Sequence, residues 1–216
     1  MTVNAIITAG GNSSRFGNKN KLLEKINGKE VIKYTVDAFR YSKVDKIIIC
    51  ANVSIIEELK CIFNDYDNVV IIEGGQTRQQ SVFNGLNYEK CDYVVIHDGA
   101  RPIVTTEIIN ICCEMVKEVK ALSVMTKTID TIKEVEHGRI VKTIDRAKLY
   151  NTQTPQAFEY DTILRAHQKF AGKNYTDDAG MLEDLGETVY IIDGSYRNIK
   201  ITTQSDIELA KVYLMQ

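Results

Sequence analysis

The sequence lacks any long hydrophobic run. No stretch of its 216 residues approaches the roughly 20 consecutive apolar residues that cross a bilayer as a helix. The N-terminus also lacks a basic start followed by an apolar stretch and a cleavage site, so no secretory signal peptide is predicted. We therefore expect a protein of the cytoplasm that has no membrane partner.

An excess of one charge is missing as well. The chain has 27 Lys and Arg against 29 Asp and Glu, a formal net charge of −2, and the two signs are interspersed. Proteins that bind nucleic acid usually present a basic block to the phosphate backbone. We therefore expect no nucleic-acid partner.

The five cysteines show no disulfide or metal pattern. Their number is odd, no C-x-x-C spacing occurs, and Cys50 and Cys112 lie in apolar runs that are typical of a core. This pattern disfavours a disulfide framework and a zinc site. The length predicts one domain over 1–216 with a core that is stable unaided, since no repeat or linker divides the chain.

Short apolar runs alternate with segments of helical periodicity over the first 126 residues. The runs predict strands at 3–7, 46–51, 69–72, 93–97 and 121–126. The intervening periodicity predicts helices at 31–41, 55–63, 77–86 and from Thr105 or Thr106 to about 119. Because the runs are continuously apolar, they indicate a mainly parallel sheet covered on both faces, an α/β domain of the Rossmann-like three-layer type.

Residues 127–150 interrupt this alternation. Two segments flank His137-Gly138, a hairpin turn signal, and predict a protruding two-stranded β-hairpin arm. An isolated hairpin is marginal in water, so we expect the arm to pack on a second copy of the chain in a homodimer. The remaining segments predict helices at about 160–170, up to 185 and at 206–214, a strand at 189–193 and an extended piece at 199–202, with Asp177-Asp178 as a candidate helix cap.

The first predicted strand leads into a loop rich in Gly, Ser and Asn. This loop carries Arg15, Lys19 and Lys21. Small residues let backbone N–H groups approach an anion closely, and the cations can hold polyphosphate oxygens. The loop is neither a Walker A motif nor G-x-G-x-x-G. It predicts a nucleoside triphosphate site, with a flexible basic turn as the plainer alternative.

Two further loops with polar groups follow predicted strands. The segment 74–81 is a glycine turn that opens a helix, whose N-terminus attracts anions. Asp98 directly follows the fourth strand and is a candidate Mg²⁺ ligand, while Arg101 beside Pro102 is a candidate phosphate clamp. His97 is a candidate base, although a histidine packed in the sheet is the favoured interpretation. Since parallel strands end at one edge, we expect a single composite site there.

The order and spacing of these motifs resemble the 2-C-methyl-D-erythritol 4-phosphate cytidylyltransferase family over essentially the whole chain. The segments that carry the resemblance are the first loop, 74–82, 97–102, 145–146, 154–156, 176–177 and 198–202. The resemblance implies a fold like that of nucleotide-diphospho-sugar transferases. It also implies transfer of CMP from CTP to methylerythritol phosphate with release of pyrophosphate. The sequence departs from the family pattern at Ser13, Asn20 and Gly99.

The resemblance also implies roles for individual residues. Arg15 and Lys21 would be catalytic, and Asp98 would carry Mg²⁺ as the cofactor and contact the nucleotide. The other nucleotide-binding residues would be Ala9, Gly10, Gly11, Gly75, Gln76, Arg78, Ser81 and Gly99. The substrate-binding residues would be Arg101, Thr154, Thr176, Lys200 and, from the arm of the other subunit, Arg146.

Three alternatives stay open at this point. Lys19 remains a candidate beside Lys21, because the spacing from Arg15 to Lys21 is one residue shorter than in the family, although Leu22-Leu23 favours Lys21. Ribitol 5-phosphate cytidylyltransferases share the fold and the CTP half, but tend to place Val where Ala100 stands. A non-catalytic nucleotide-binding protein is disfavoured by the charged groups present in every loop.

Overall fold

A computed structural model describes residues 1–11, 16 and 20–215 of the chain. The strands in this part are β1 (Val3–Ala9), β2 (Lys25–Ile26), β3 (Lys29–Glu30), β4 (Lys46–Ala51), β5 (Val69–Glu73), β6 (Tyr93–Asp98), β7 (Ala121–Lys127), β8 (Ile132–Glu136), β9 (Arg139–Ile144), β10 (Tyr150–Glu159) and β11 (Tyr190–Asp193). The α-helices are α1 (Val31–Arg40), α2 (Ile56–Ile62), α3 (Arg78–Tyr88), α4 (Thr106–Val119), α5 (Tyr160–Lys169), α6 (Ala179–Leu185) and α7 (Gln204–Leu214). None of these helices is both long and apolar enough to cross a bilayer.

The central sheet has seven strands in the order β11-β7-β10-β6-β1-β4-β5. β1 pairs in parallel with β4 and β6, β4 with β5, and β11 with β7. Only β10 among these strands runs antiparallel to its neighbours, β6 and β7. The predicted mainly parallel sheet is therefore confirmed.

β10 is the one strand of the central sheet that the sequence pattern does not predict. Its residues are mostly polar and include Pro155, and proline cannot donate a hydrogen bond to a ladder. The structure accommodates the proline where the pairing of β10 with β7 changes register, between Thr152 and Gln156. Whether a sheet can accept a proline depends on how the neighbouring strands pair, and the local sequence pattern does not show that pairing.

Alternate residues of the central strands pack on opposite faces of the sheet. Ala5 and Ile7 of β1 belong to the core cluster that includes residues of α1, α2, α4 and α7. Ile6, between them, belongs to the cluster that includes residues of α3, α5 and α6. Burial on both faces explains why the strands read as continuous apolar runs, and it confirms the three-layer α/β architecture.

The cysteines that were expected in the core are found there. Cys50, Cys91, Cys112 and Cys113 are buried, Cys61 is exposed, and all five are free. Burial raises the pKa of the Cys50 thiol to about 12. Cys50 is therefore protonated at neutral pH and serves as a small apolar residue.

β8 and β9 form the predicted hairpin arm as a separate two-stranded sheet. Its turn residues, His137 and Gly138, have φ values of 47° and 76°, which is the left-handed geometry that two-residue hairpin turns require. Most residues of the arm are exposed. The exposed apolar side chains on and beside it are Ile129, Ile132, Val135, Ile140 and Val141.

The segment 199–202 was expected to be extended, but it belongs to no sheet in the described structure. One of the contacts that hold it links it to the loop after β6: Ile201 N donates to Ala100 O at 2.8 Å. This contact places Lys200 beside the loop that follows β6.

Candidate active site

A cleft opens at the carboxyl-terminal edge of the sheet, where β1, β5 and β6 end. The residues that line it are Thr8, Ala9, Gly10, Gly11, Lys21, Leu22, Gln76, Thr77, Arg78, Ser81, Asp98, Ala100 and Lys200. Parallel α/β sheets bind their ligands at this edge. The structure thus brings together residues from the first loop, the glycine turn, the end of β6 and the C-terminal segment.

Ser81 holds the glycine turn that follows β5. Its Oγ accepts a hydrogen bond from Gly75 N at 2.9 Å and donates to Thr77 O at 2.9 Å. A Cβ atom on Gly10 would lie 2.8 Å from this Oγ, and one on Gly75 would lie 2.8 Å from the backbone carbon of Gln80. Glycine at position 10 lets the first loop approach Ser81, and glycine at position 75 lets the turn fold closely against the start of α3.

Helix α3 begins at the cleft. Thr77 caps it, because its Oγ1 accepts from Gln80 N at 3.1 Å. The N-terminal end of a helix carries partial positive charge and unpaired N–H groups. Arg78, its first residue, adds a full positive charge at the same place.

Asp98 lies at the centre of a charged cluster in the cleft. Its Oδ1 is 3.0 Å from Arg78 Nε and its Oδ2 is 2.6 Å from Lys200 Nζ. Thr8 Oγ1 donates to Oδ1 at 3.3 Å. Burial alone would raise the pKa of the Asp98 carboxyl, but the charges of Arg78 and Lys200 outweigh burial and hold this pKa well below its usual range. Asp98 is therefore an anion surrounded by cations.

A second carboxylate lies behind Arg78, in the interior. Asp178 is fully buried, and its Oδ2 accepts from Arg78 Nη1 at 2.7 Å. His167 Nε2 lies 3.1 Å from Asp178 Oδ1. Burial by itself lowers the pKa of the Arg78 guanidinium, but attraction by Asp178 and Asp98 raises it above the usual value. Arg78 is thus fixed between two carboxylates.

Sequence reasoning missed this role of Asp178. The pair Asp177-Asp178 indicated only a helix cap. In the structure Asp178 occupies the N-cap position of α6, but its side chain makes no capping bond, whereas Asp177 Oδ1 accepts from Gly180 N at 3.3 Å. Asp178 points inward instead. The sequence around a polar residue at a helix end does not show which distant side chain it will contact in the folded protein.

Arg101 is held beside Asp98 by the C-terminal segment. Its Nη1 donates to Asn198 O at 2.7 Å, and its Nε lies 4.0 Å from Asp98 Oδ2. Burial lowers the pKa of the Arg101 guanidinium. Asn198 Nδ2 in turn donates to Thr154 O at 2.9 Å, so the turn after β6, β10 and the C-terminal segment are tied together.

Thr154 and His97 form a buried pair behind Asp98. Thr154 Oγ1 accepts from Asp98 N at 3.1 Å and lies 2.9 Å from His97 Nδ1. His97 Nε2 lies 3.3 Å from Arg101 O. Burial lowers the pKa of His97 to about 3, so the ring is neutral at physiological pH. The favoured interpretation of His97 as a packed histidine agrees with its exposure of 0%.

Lys21 reaches the cleft from the first loop. Its Nζ donates to Ile201 O at 2.7 Å, next to Lys200 in the chain. Arg15 and Lys19, the other cations predicted to act in this loop, lie outside the residues that the structure describes. Their roles stay predictions.

Several predicted residues lie away from the cleft lining. Gly75 lines an adjoining polar pocket that shares Gly10 and Gln76 with the cleft. A Cβ on Gly99 would lie 3.0 Å from Thr8 O, so Gly99 packs against β1. Thr176 is exposed in the turn before Asp177.

Arg146 is also away from the cleft of its own chain. It is exposed at the base of the arm, where its Nη1 donates to Ile129 O. Within the described residues of a single chain, the structure does not bring Arg146 to the cleft lining.

These features together define a class of protein. A parallel α/β sheet carries, at its carboxyl edge, glycine turns, the start of a helix, clustered cations and one carboxylate, which is an arrangement suited to binding and transferring nucleotide phosphates. Fold and cleft are those of a nucleotidyltransferase. The model of the family IspD: 2-C-methyl-D-erythritol 4-phosphate cytidylyltransferase matches residues 3–216. The chain belongs to this family.

Curated relatives and solved structures agree with the family assignment. The chain is 44% identical to the 2-C-methyl-D-erythritol 4-phosphate cytidylyltransferase of Clostridium acetobutylicum, over 97% of this chain and 96% of the relative. It is 39% identical to that of Clostridioides difficile, over 97% and 92%. The structure of 4-diphosphocytidyl-2C-methyl-D-erythritol synthase from Anaerococcus prevotii has a TM-score of 0.89 and 32% identity, covering 100% of this chain and 96% of that chain.

Proposed function

We propose that this chain catalyses the reaction of its family in the cleft described above. It transfers CMP from CTP to 2-C-methyl-D-erythritol 4-phosphate, a step of the non-mevalonate isoprenoid pathway. A phosphate oxygen of the sugar attacks the α-phosphorus of CTP in line and forms the new P–O bond. The bond from the α-phosphorus to the oxygen that bridges to the β-phosphorus breaks, and pyrophosphate leaves with that oxygen. No covalent enzyme intermediate is needed.

The observation that carries this proposal is the cation cluster around Asp98. Lys21, Arg78 and Lys200 come from three distant parts of the chain and line one cleft. Both reactants are anions, so their repulsion opposes the reaction, and catalysis consists mainly of positioning and charge neutralisation. Fixed cations in a partly buried cleft act more strongly on these charges than they would in water.

The nucleotide half of the site follows from the first loop and the glycine turn. Arg15 and Lys21 hold the triphosphate and stabilise charge that develops at the α-phosphorus. The cytidine lies against backbone and small side chains, where hydrogen bonds can distinguish one base from another. The residues assigned to it are Ala9, Gly10, Gly11, Gly75, Gln76, Ser81 and Gly99, with Arg78 beside them through its contact with Asp98.

The sugar-phosphate half lies on the other side of Asp98. Arg101 and Lys200 are supported here by their positions beside Asp98. Thr154 belongs to this half through its buried hydroxyl, which contacts Asp98 N and His97 and so aligns Asp98. Thr176 belongs to the same half by its place in the sequence motif. Arg146 completes this half from a second copy of the chain.

The residues around Asp98 fit a divalent cation that arrives with the triphosphate. The described residues contain no group of three or more His, Cys, Asp or Glu placed to hold a metal ion. Mg²⁺, however, often binds through one or two carboxylates plus substrate phosphates. Asp98 supplies an ionised carboxylate in the cleft, and the half-exposed Lys200 can exchange its contact with Asp98 for a phosphate oxygen. When bound, Mg²⁺ would neutralise triphosphate charge.

A homodimer that forms through the arm is part of the proposal. Ile140 and Ile129 are 66% and 63% exposed, and three further apolar side chains of the arm are exposed beside them. Clustered exposed apolar side chains mark interaction surfaces. A second copy would bury them and bring Arg146 to the partner's cleft.

The proposal also takes 1–216 as one cytidylyltransferase domain that works in the cytoplasm, a location that five free cysteines fit.

Pyrophosphate release tests the proposed function. With Mg²⁺ and methylerythritol phosphate, the purified protein should release pyrophosphate from CTP, but not from ATP or GTP. Ribitol 5-phosphate in place of methylerythritol phosphate tests the alternative substrate. Lys21→Ala, with an unchanged circular dichroism spectrum, serves as the inactive control. No release with CTP and either sugar phosphate would leave a binding protein as the remaining interpretation.

A further inference from the structure

We infer that His97 is a positioning residue for the proposed reaction. As a neutral ring with its proton on Nε2, it connects Thr154 to both ends of the turn that carries Asp98 and Arg101. This inference rests on the proposed function, because Asp98 and Arg101 are taken there as the groups that meet the nucleotide and the sugar phosphate.

The proton on the ring is located by counting donors. Asp98 N can only donate, so Thr154 Oγ1 accepts at this contact of 3.1 Å. The Thr154 hydroxyl has one proton left, and the next polar atom, 2.9 Å away, is His97 Nδ1. A hydroxyl oxygen can accept twice, so the direction of this bond is decided at the other ring nitrogen. Nε2 lies 3.3 Å from Arg101 O, which can only accept, and a neutral ring has a single proton, so Nδ1 carries none and accepts from Thr154. The ring proton of the neutral histidine is on Nε2.

The second ring nitrogen then has a defined task. His97 Nε2 lies 3.3 Å from Arg101 O, and a carbonyl oxygen can only accept, so Nε2–H donates to it. The same turn is closed by Arg101 N, which donates to Asp98 O at 3.0 Å. One imidazole thus orients the backbone at the start of the turn through Thr154, and the backbone at its end directly.

This arrangement excludes two other roles for His97. Both ring nitrogens are engaged inside the protein and the residue is 0% exposed, so neither nitrogen can take a proton from a substrate. A role in packing alone is also insufficient, since the ring contacts Phe39 on one side yet engages both of its nitrogens, Nδ1 with Thr154 and Nε2 with Arg101 O. The structure assigns the ring to alignment of the turn.

Two substitutions separate the two bonds. In His97→Asn the side-chain oxygen takes the place of Nδ1, so the Thr154 contact is kept and the bond to Arg101 O is lost. In His97→Gln the side-chain amide nitrogen takes the place of Nε2, so the bond to Arg101 O is kept and the Thr154 contact is lost. Because small misplacements of binding groups cost one to two orders of magnitude, we expect His97→Asn to raise KM for methylerythritol phosphate about tenfold, with KM for CTP within about twofold.

His97→Gln should act on the Asp98 end of the turn. We expect kcat to fall about tenfold, because Asp98 is no longer aligned through Thr154, with a smaller change in KM for the sugar phosphate. Thr154→Val removes the same connection, so kcat of the double variant His97→Gln/Thr154→Val should be no lower than kcat of Thr154→Val alone. Val116→Ala, a buried core substitution in α4, is the matched control: it should lower the melting temperature and leave both KM values unchanged.

A spectroscopic measurement tests the tautomer without any activity. The ¹⁵N shifts of the histidine ring nitrogens in the folded wild-type protein should show His97 with its proton on Nε2. The signal is assigned by substituting His137 and His167, which identifies His97 even if its own variants do not fold. A proton on Nδ1 would overturn the inference. So would His97 variants that shift every kinetic parameter in parallel. A wild-type protein without CMP transfer would instead refute the proposed function and leave the tautomer result standing.

Discussion

At the scale of single residues, the cleft depends on a cation held between two anions. Asp178 is fully buried and Arg78 is mostly buried, so both lose much of their hydration on folding. Such a pair is stabilised only when its hydrogen bonds replace the lost water, and removal of one partner leaves an uncompensated buried charge. The Nη2 atom of Arg78 is buried and has no partner within the described residues. The stability of the buried Arg78 charge therefore depends strongly on its pairing with Asp178.

Asp178→Asn should consequently destabilise the protein. The substitution keeps the shape of the side chain but removes its charge, so Arg78 is left with Asp98 alone. We expect the free energy of unfolding to fall by about 3 kcal/mol, as for other broken buried ion pairs. Urea denaturation at pH 7 measures the change. Asp161→Asn is the control, because its partnership with Lys90 is at the surface and its urea midpoint should match that of the wild type.

The same carboxylates predict how stability depends on pH. The pKa values of Asp98 and Asp178 are held below the usual range, so their contribution is complete above the pKa of an unfolded aspartate, about 3.9. Below that pH the unfolded chain takes up protons that the folded carboxylates do not, and stability falls as pH falls. Urea titrations between about pH 5 and pH 3 should show this loss, with a shallower slope in Asp178→Asn. Equal slopes would contradict the ion-pair interpretation.

Lys21 and Lys19 form a matched pair for a test of catalysis. Lys21 lines the cleft and donates to Ile201 O, whereas Lys19 lies outside the described residues. If Lys21 stabilises the developing charge, Lys21→Gln should lower kcat by about 10² to 10³, as for other single electrostatic groups. Lys19→Gln should change it less than about threefold. The reverse pattern in a pyrophosphate-release assay would assign the catalytic role to Lys19.

At the scale of elements, the sequence predicts what depends on periodicity. The strands from β1 to β7 within the parallel part of the sheet, their covering helices and the hairpin arm all follow from local apolar spacing and turn signals. β10 does not, because its residues are mostly polar and include Pro155, and only the neighbouring strands make it a strand. The segment 199–202 is likewise placed by long-range contacts, in which Ile201 bonds to Ala100 and to Lys21.

The candidate site divides in the same way. Residues that follow a strand directly, such as Asp98, could be placed at the carboxyl edge from the sequence, because parallel strands share that edge. Contacts between side chains of distant elements could not be predicted from the sequence. Asp178 meets Arg78 across a separation of 100 residues, and Thr154 meets His97 across 57. Such contacts are set by the packing of whole elements, which no local pattern records.

The arm gives a prediction at this scale. Ile140 on β9 is 66% exposed, and burial of such a side chain in a dimer contributes about 1.5 to 3 kcal/mol per chain. Ile140→Glu should therefore shift the protein from dimer to monomer at micromolar concentration, as measured by light scattering after size exclusion. Lys133→Gln, a polar exchange on β8, should leave the dimer intact. A wild-type monomer under the same conditions would refute the role proposed for the arm.

At the scale of the whole molecule, the described residues of a single chain do not bring every predicted site residue to one cleft. Arg146 is exposed at the base of the arm and is not part of the cleft lining of its own chain. In a two-fold symmetric dimer each chain donates the same patch, so an arm that crosses to the partner would supply Arg146 to both clefts. Catalysis would then require assembly, and the two halves of one active site would belong to different chains.

Mixing two inactive variants tests this arrangement. In a heterodimer of Arg146→Ala with Lys21→Ala, the Arg146→Ala chain keeps Lys21 and receives an intact Arg146 from its partner, so one cleft is complete. Random exchange makes half of the dimers mixed, each with one working site, and activity should recover to about a quarter of the wild-type value per chain. Each variant alone is the control. If Arg146 served its own chain, every cleft would lack one group, and the mixture would be no more active than its components.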